Sequence, residues 1–257
     1  MQLRSLARDI IRHQVHRVFP IHAIGRPRVD TYVAIDDIFR VVRTGMQWRE
    51  VQCPCCSWQT IYNTFLKWSS AGVFECAYNT LLKLYSRRRR PAVQNRAHIA
   101  DTSYVRNVYG SDCLGKNHTD RGRLATKLSV VCDQTGIPLM LECFPGNRND
   151  CVLLEDTLKN NATHVAGVQF HADKGYDSQR CRALVKSYGY VDKISKRRCV
   201  TSSSDNKRRI VVEHCFAWLD KYRRLYARYE RYVVNYKPMP YLASSNIACN
   251  RLQSTCS

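Results

Sequence analysis

The chain has 257 residues, 44% of them hydrophobic, which suffices for one sizeable core with a smaller module and is too little for several large domains. Lys and Arg total 41 against 21 Asp and Glu, a formal net charge of +20, and so large a surplus points to a polyanionic partner, nucleic acid being the simplest. No run approaches the roughly 20 apolar residues of a bilayer span, and no hydrophobic core followed by a small-residue cleavage site marks the N-terminus, so a soluble intracellular protein with no membrane partner is expected.

Residues 1–19 are Arg-rich with Asp9 the single acid, a pattern expected of a surface helix lying on nucleic acid or on the core. Gly25-Arg26-Pro27-Arg28 follows, and proline keeps this segment extended, a form in which Arg26 and Arg28 can enter a narrow minor groove. Asp30 is placed to cap a helix that runs through Val33, Ile38 and Val41 and stops at Gly45. The 13 cysteines, an odd number, argue against a complete disulfide framework. The cluster Cys53-Pro54-Cys55-Cys56 can seed a zinc site with a distant Cys or His, but no second pair stands at a finger spacing, so packed or exposed thiols are expected there.

A second helix is predicted over 58–70, with Ser57 as cap and Trp58, Ile61, Phe65 and Trp68 on one stripe. After Gly72, the residues Val73, Ala77, Leu81 and Leu84 predict a third. Three short helices joined by tight turns suggest a helix-turn-helix-like DNA-binding module over residues 1–90. The run Arg87-Arg88-Arg89-Arg90-Pro91 ends it and marks the boundary to a second unit, 91–257.

Beyond Arg96 the pattern changes to β-rich runs at His98–Thr102, Lys127–Cys132, Pro138–Cys143 and Val168–Ala172. Helical patterns follow near 150–160, 177–188 and 207–225, so the fold class is α/β, a mixed sheet flanked by helices. Asp101 and Asp173 each end a predicted core strand, and strand ends at one sheet edge are where such folds place chemistry. Carboxylates crowded there repel one another unless cations lie between them, which points to divalent metal. Glu213 lies on the third helix, beside a predicted buried stripe of Val212, Phe216 and Leu219, with Arg209 one turn earlier and Lys221 about two turns later. His98 and His171 are read as hydrogen-bonded strand residues, and Asn149-Asp150 and Asp177 as helix caps. From Lys221 to Arg231, bases including Arg223 and Arg224 alternate with tyrosines, a composition that suits phosphates and unstacked bases.

These segments resemble a known family. GRPR at 25–28, RTGMQWRE at 43–50, WQTIYNTFLKWSSAGVFE at 58–75, ADTS at 100–103, TK at 126–127, PGNRND at 145–150, ADKGYDS at 172–178 and VVEHCFAWLDKYRRLYARYER at 211–231 occur in the order found in DDE transposases of the bacterial insertion sequence 4 and 5 superfamily, most closely the small insertion sequence 5 type. The resemblance implies an RNase H-like fold with Asp101, Asp173 and Glu213 as the metal-binding catalytic triad. It also implies DNA contacts from basic residues of these motifs, Lys127, Lys174, Arg209 and Lys221 among them. The chain departs from the family at His214, where arginine is usual, and in the CPCC segment.

The implied activity is cleavage at the ends of a mobile element and strand transfer into target DNA, with two Mg²⁺ or Mn²⁺ ions about 4 Å apart. Terminal inverted repeats and target DNA are the implied double-stranded partners, with a homodimer on DNA. The implied location is the cytoplasm or nucleoid of a bacterium, or the nucleus in a eukaryotic or viral setting. A domesticated DNA-binding protein without catalysis and an endonuclease without strand transfer are the alternatives.

Overall fold

A computed structural model describes residues 3–20, 27–88, 96–159, 166–197 and 203–253, with side chains of the last segment described from 208 onward. Arg26 and the expected boundary at 89–91 lie outside the described residues.

Four helices come first: α1 (Ser5–Val18), α2 (Thr31–Thr44), α3 (Trp58–Ser70) and α4 (Val73–Arg88). Their apolar positions recur at three- and four-residue spacing and turn inward, with Ile11 and Val15 of α1, Ile35, Ile38 and Phe39 of α2, Ile61 and Phe65 of α3, and Tyr78 and Leu81 of α4 all buried. The Asp30 carboxylate accepts from the Tyr32 and Val33 amides and so caps α2 as expected. Ser57 does not cap α3; its hydroxyl pairs with the Thr60 hydroxyl instead. Gly45 ends α2 at φ +74°, and a β-carbon there would meet the Arg223 side chain at 2.9 Å, so both conformation and space require glycine.

The sheet is built from β1 (Ala97–Asn107), β2 (Gly115–Asn117), β3 (Arg123–Asp133), β4 (Pro138–Pro145), β5 (Gln169–Ala172), β6 (Val191–Asp192) and β7 (Ala227–Arg228). Its main run is β4-β3-β1-β5-β6, antiparallel on the β4-β3-β1 side and parallel on the β1-β5-β6 side. This is the mixed α/β sheet expected from the sequence. Helices α5 (Asp150–Lys159) and α6 (Gln179–Ser187) follow β4 and β5, and α7 (Ser203–Asp220) packs on β1, β3 and β5. The helical pattern expected over 207–225 is interrupted after Asp220. Two short helices, α8 (Arg223–Tyr226) and α9 (Val233–Tyr236), flank β7.

The last helix, α10 (Pro238–Gln253), carries no amphipathic signal because almost every side of it is buried, from Met239 and Leu242 to Ser244, Ser245 and Asn246. Its two prolines fall in the first turn, where no intrahelical donor is lost. It packs against α4, α1 and β4, so one apolar core runs from Leu3 in the N-terminal segment through the sheet to Leu252. No described helix is long and apolar enough to cross a membrane.

Within the segment 221–231, whose bases suit nucleic acid, Arg224 and Arg228 form a structural clamp instead. Arg228 is fully buried and donates to the carbonyls of Asp112, Glu230 and Arg231, to the Thr126 hydroxyl and to the Asp112 carboxylate. Arg224 is buried in an ion pair with Glu230 at 2.9 Å, so its expected DNA contact is corrected: the guanidinium is inside the protein. We expect Arg228→Met to lower unfolding free energy by about 3 kcal/mol in urea denaturation, since it strands several buried acceptors.

Candidate active site

The parallel register of β1 and β5 builds the site. Ala100 lies opposite Ala172, so the residues that follow, Asp101 on β1 and Asp173 just beyond β5, emerge from the same edge of neighbouring strands. Both carboxylates line a cleft of 330 Å³ that is closed by Val212, Arg208 and Arg209 of α7 and edged by Ile99, His171, Lys174 and Ser195. The chain leaves β5 abruptly at this point. Asp173 accepts from the Gly175 amide at 2.8 Å, and a β-carbon on residue 175 would lie 2.9 Å from that carboxylate oxygen, so glycine admits the turn that exposes Asp173.

Burial pushes the Asp101 carboxyl up to about 6, the charges of Asp173 and Asp150 add to the rise, and the Thr102 amide and the Arg209 guanidinium oppose it. Thr102, next along β1, donates to Asp150, which also holds Lys127 at 2.8 Å. Lys127 is buried and lies over the Tyr104 ring, so its expected role at DNA is corrected: its charge is spent inside on Asp150. Of the expected Asn149-Asp150 cap, Asn149 is the residue that caps α5, accepting from the Cys151 amide. Likewise Ser178 caps α6, and Asp177 pairs with Arg182.

Glu213 stands on α7, the helix that closes the cleft, but its carboxylate is turned to Arg209 at 2.9 Å and is exposed. It does not line the cleft with the two aspartates, and the three acids do not come within 4.8 Å of one another. Among the described residues, the trio of potential ligands that does is Cys53, Cys55 and Cys56. Arg209 and Lys174 edge the cleft, whereas Lys221, Arg223 and Arg28 are exposed elsewhere. Arg28 donates to the Phe19 carbonyl.

Three cleft residues were not assigned from the sequence. Arg208 stands four positions before Val212 and shares its face, a spacing that the sequence does print; His171 and Ser195 come to the cleft through the sheet. His98, by contrast, is a buried partner of the Tyr190 hydroxyl at 2.9 Å, and burial holds its imidazole down to about 4, with the Arg96 charge adding.

Residues 94–238 match the family model described as transposase DDE domain, and residues 10–77 match the one described as putative transposase of IS4/5 family. The chain is 36% identical over 132 residues to a putative transposase for insertion sequence element IS402 from Burkholderia cepacia, covering 48% of this chain and 62% of that protein. It is 29% identical over 132 residues to a putative transposase for insertion sequence element IS6501 from Brucella ovis, covering 48% of this chain and 98% of that one. The chain thus spans less than two thirds of the IS402 relative. Among solved structures, a pre-cleavage Mos1 transpososome aligns over 89% of this chain and 80% of that one, at 13% identity and a TM-score of 0.31.

The Asp101 carboxyl titrates higher in the folded chain than the ordinary 3.8, so its ionisation costs folding stability as pH rises from about 4 through 6 and the cost stays in full above that. Asp101→Asn should therefore stabilise the metal-free protein at pH 8, by as much as about 3 kcal/mol, with little gain below pH 4. Thermal melts of both proteins across that range check it; a gain that is larger in acid would contradict the assignment.

Proposed function

The chain belongs to the DDE transposase family, and from that premise we propose that its cleft cuts DNA at the ends of a mobile element and joins the freed end to target DNA. The observation that carries this reading is the side-by-side placement of Asp101 and Asp173 beneath a rim of arginine and lysine. Two acids held against their repulsion, one with a raised carboxyl, form an oxygen donor set suited to a hard divalent cation such as Mg²⁺ or Mn²⁺. Asp101 and Asp173 would hold it, and two such ions, when bound, supply Lewis-acid activation of an attacking oxygen and charge relief for the leaving one.

Glu213 would be the third residue to hold the ion. Its exposed pair with Arg209, one helical turn away, contributes only about 0.3–0.5 kcal/mol, so little opposes its turning toward the aspartates, which would leave Arg209 able to meet a phosphate. Arg208 and Lys174 stand on the same rim and orient the scissile strand, while Lys221 and Arg223 extend the basic surface beyond it. His171 is placed to bear on the same phosphate or on Asp173. Water and then a DNA 3′-hydroxyl serve in turn as nucleophile, so no covalent enzyme intermediate is required. Two element ends must be brought together, which a homodimer on double-stranded DNA would do, in the compartment that holds the DNA. The helical segment 1–90 is the proposed DNA-reading module and 91–257 the catalytic domain.

Asp173→Ala should abolish Mg²⁺-dependent nicking of a labelled element end while changing its Kd for that DNA less than threefold; equal loss of binding and cutting would count against a catalytic role. DNA affinity of the unaltered chain should fall at least tenfold between 50 and roughly 200 mM salt, and a flat response in an anisotropy titration would remove the phosphate contacts from the account.

A further inference from the structure

The loop that joins α2 to α3 holds three thiols that the cleft does not use. Cys53 and Cys56 face each other across a two-residue antiparallel bridge, the Cys-x-x-Cys spacing from which thiolate metal sites are built. The Cys53 sulfur lies 3.3 Å from the sulfurs of both Cys55 and Cys56, and the three lie within 4.8 Å of one another. Cys53 and Cys56 pack against the apolar core, whereas Cys55 is exposed.

We propose that Cys53, Cys55 and Cys56 bind one Zn²⁺ ion through their sulfurs, with the fourth position open to water or to an added ligand. Sulfur donors suit this ion where the carboxylates of the cleft do not. At a Zn–S distance of about 2.3 Å, the sulfurs of a tetrahedral centre are about 3.8 Å apart. Each pair at 3.3 Å therefore has to open by about half an ångström, which rotation about the Cα–Cβ bonds supplies. Three protons leave as the thiolates bind. The ion would staple the loop that runs from buried Val51 to the start of α3, where Ser57 provides no side-chain cap. The site is independent of the DNA-cutting reading and survives if that reading fails.

The test uses the full reduced chain and Co²⁺ as a spectroscopic probe, followed by displacement with Zn²⁺. One equivalent of Co²⁺ should produce a sulfur-to-cobalt charge-transfer band that Zn²⁺ bleaches, absent in Cys53→Ser and Cys56→Ser and retained in Cys76→Ser, whose thiol is exposed on α4. Because a serine variant can misfold, alkylation of the unaltered chain gives a second reading: Zn²⁺ should protect Cys53, Cys55 and Cys56 and leave Cys76 reactive. Absence of the band, equal alkylation with and without Zn²⁺, or a Cys53–Cys56 disulfide in freshly isolated protein would overturn the assignment.

Discussion

The pairing of β1 with β5 is the constraint on which the rest of this protein turns. β1 is hydrogen-bonded to β3 on one side and β5 on the other, so its register is fixed twice. A slip of one residue would turn every side chain to the opposite face of the sheet. In the observed register Asp101 and Ile99 face α7, while Thr102 faces α5 and meets Asp150. The backbone bonds of the ladder thus hold two carboxylates together that would separate if either strand end were free. The burial of Asp101, with that enforced proximity adding to it, is the source of the electrostatic tension in the cleft.

Charge is divided between two tasks. The surplus of +20 suggests an outward-facing basic surface, yet Arg224, Arg228 and Lys127 are withdrawn into ion pairs and carbonyl contacts that hold loops to the sheet. A buried guanidinium with all its donors engaged is worth much to a fold and nothing to a distant phosphate. Among the described residues, the exposed cations on α7 and after it include Arg209, Lys221, Arg223 and Arg231. Arg209 belongs to both groups, since it restrains Glu213 and reaches the field of Asp101.

Elements with a clear periodicity were legible in the sequence. α2, α3 and α4 each show one apolar stripe, and β1, β3, β4 and β5 each show a β-rich run ended by Gly, Asp or Asn. The structure lengthens β1 to Asn107 and β3 back to Arg123, because pairing on both sides continues strands whose outer residues are polar. α10 was not legible, since a helix buried on nearly all sides has no polar face to set its period. β2, β6 and β7 are two or three residues long and exist only because a neighbour pairs with them.

By itself, the sequence determined the order of the elements, the family motifs and the identity of the strand-end acids, because these depend on local pattern and residue chemistry. Only the tertiary structure decided which cations are inside, that Ser178 rather than Asp177 caps its helix, that Asp150 beside the Asn149 cap turns to Lys127, and that Glu213 rests against Arg209. The reason is physical: a side chain chooses among partners remote in the chain, and distance and burial, which set the strength of each choice, arise only when the sheet and its helices have come together.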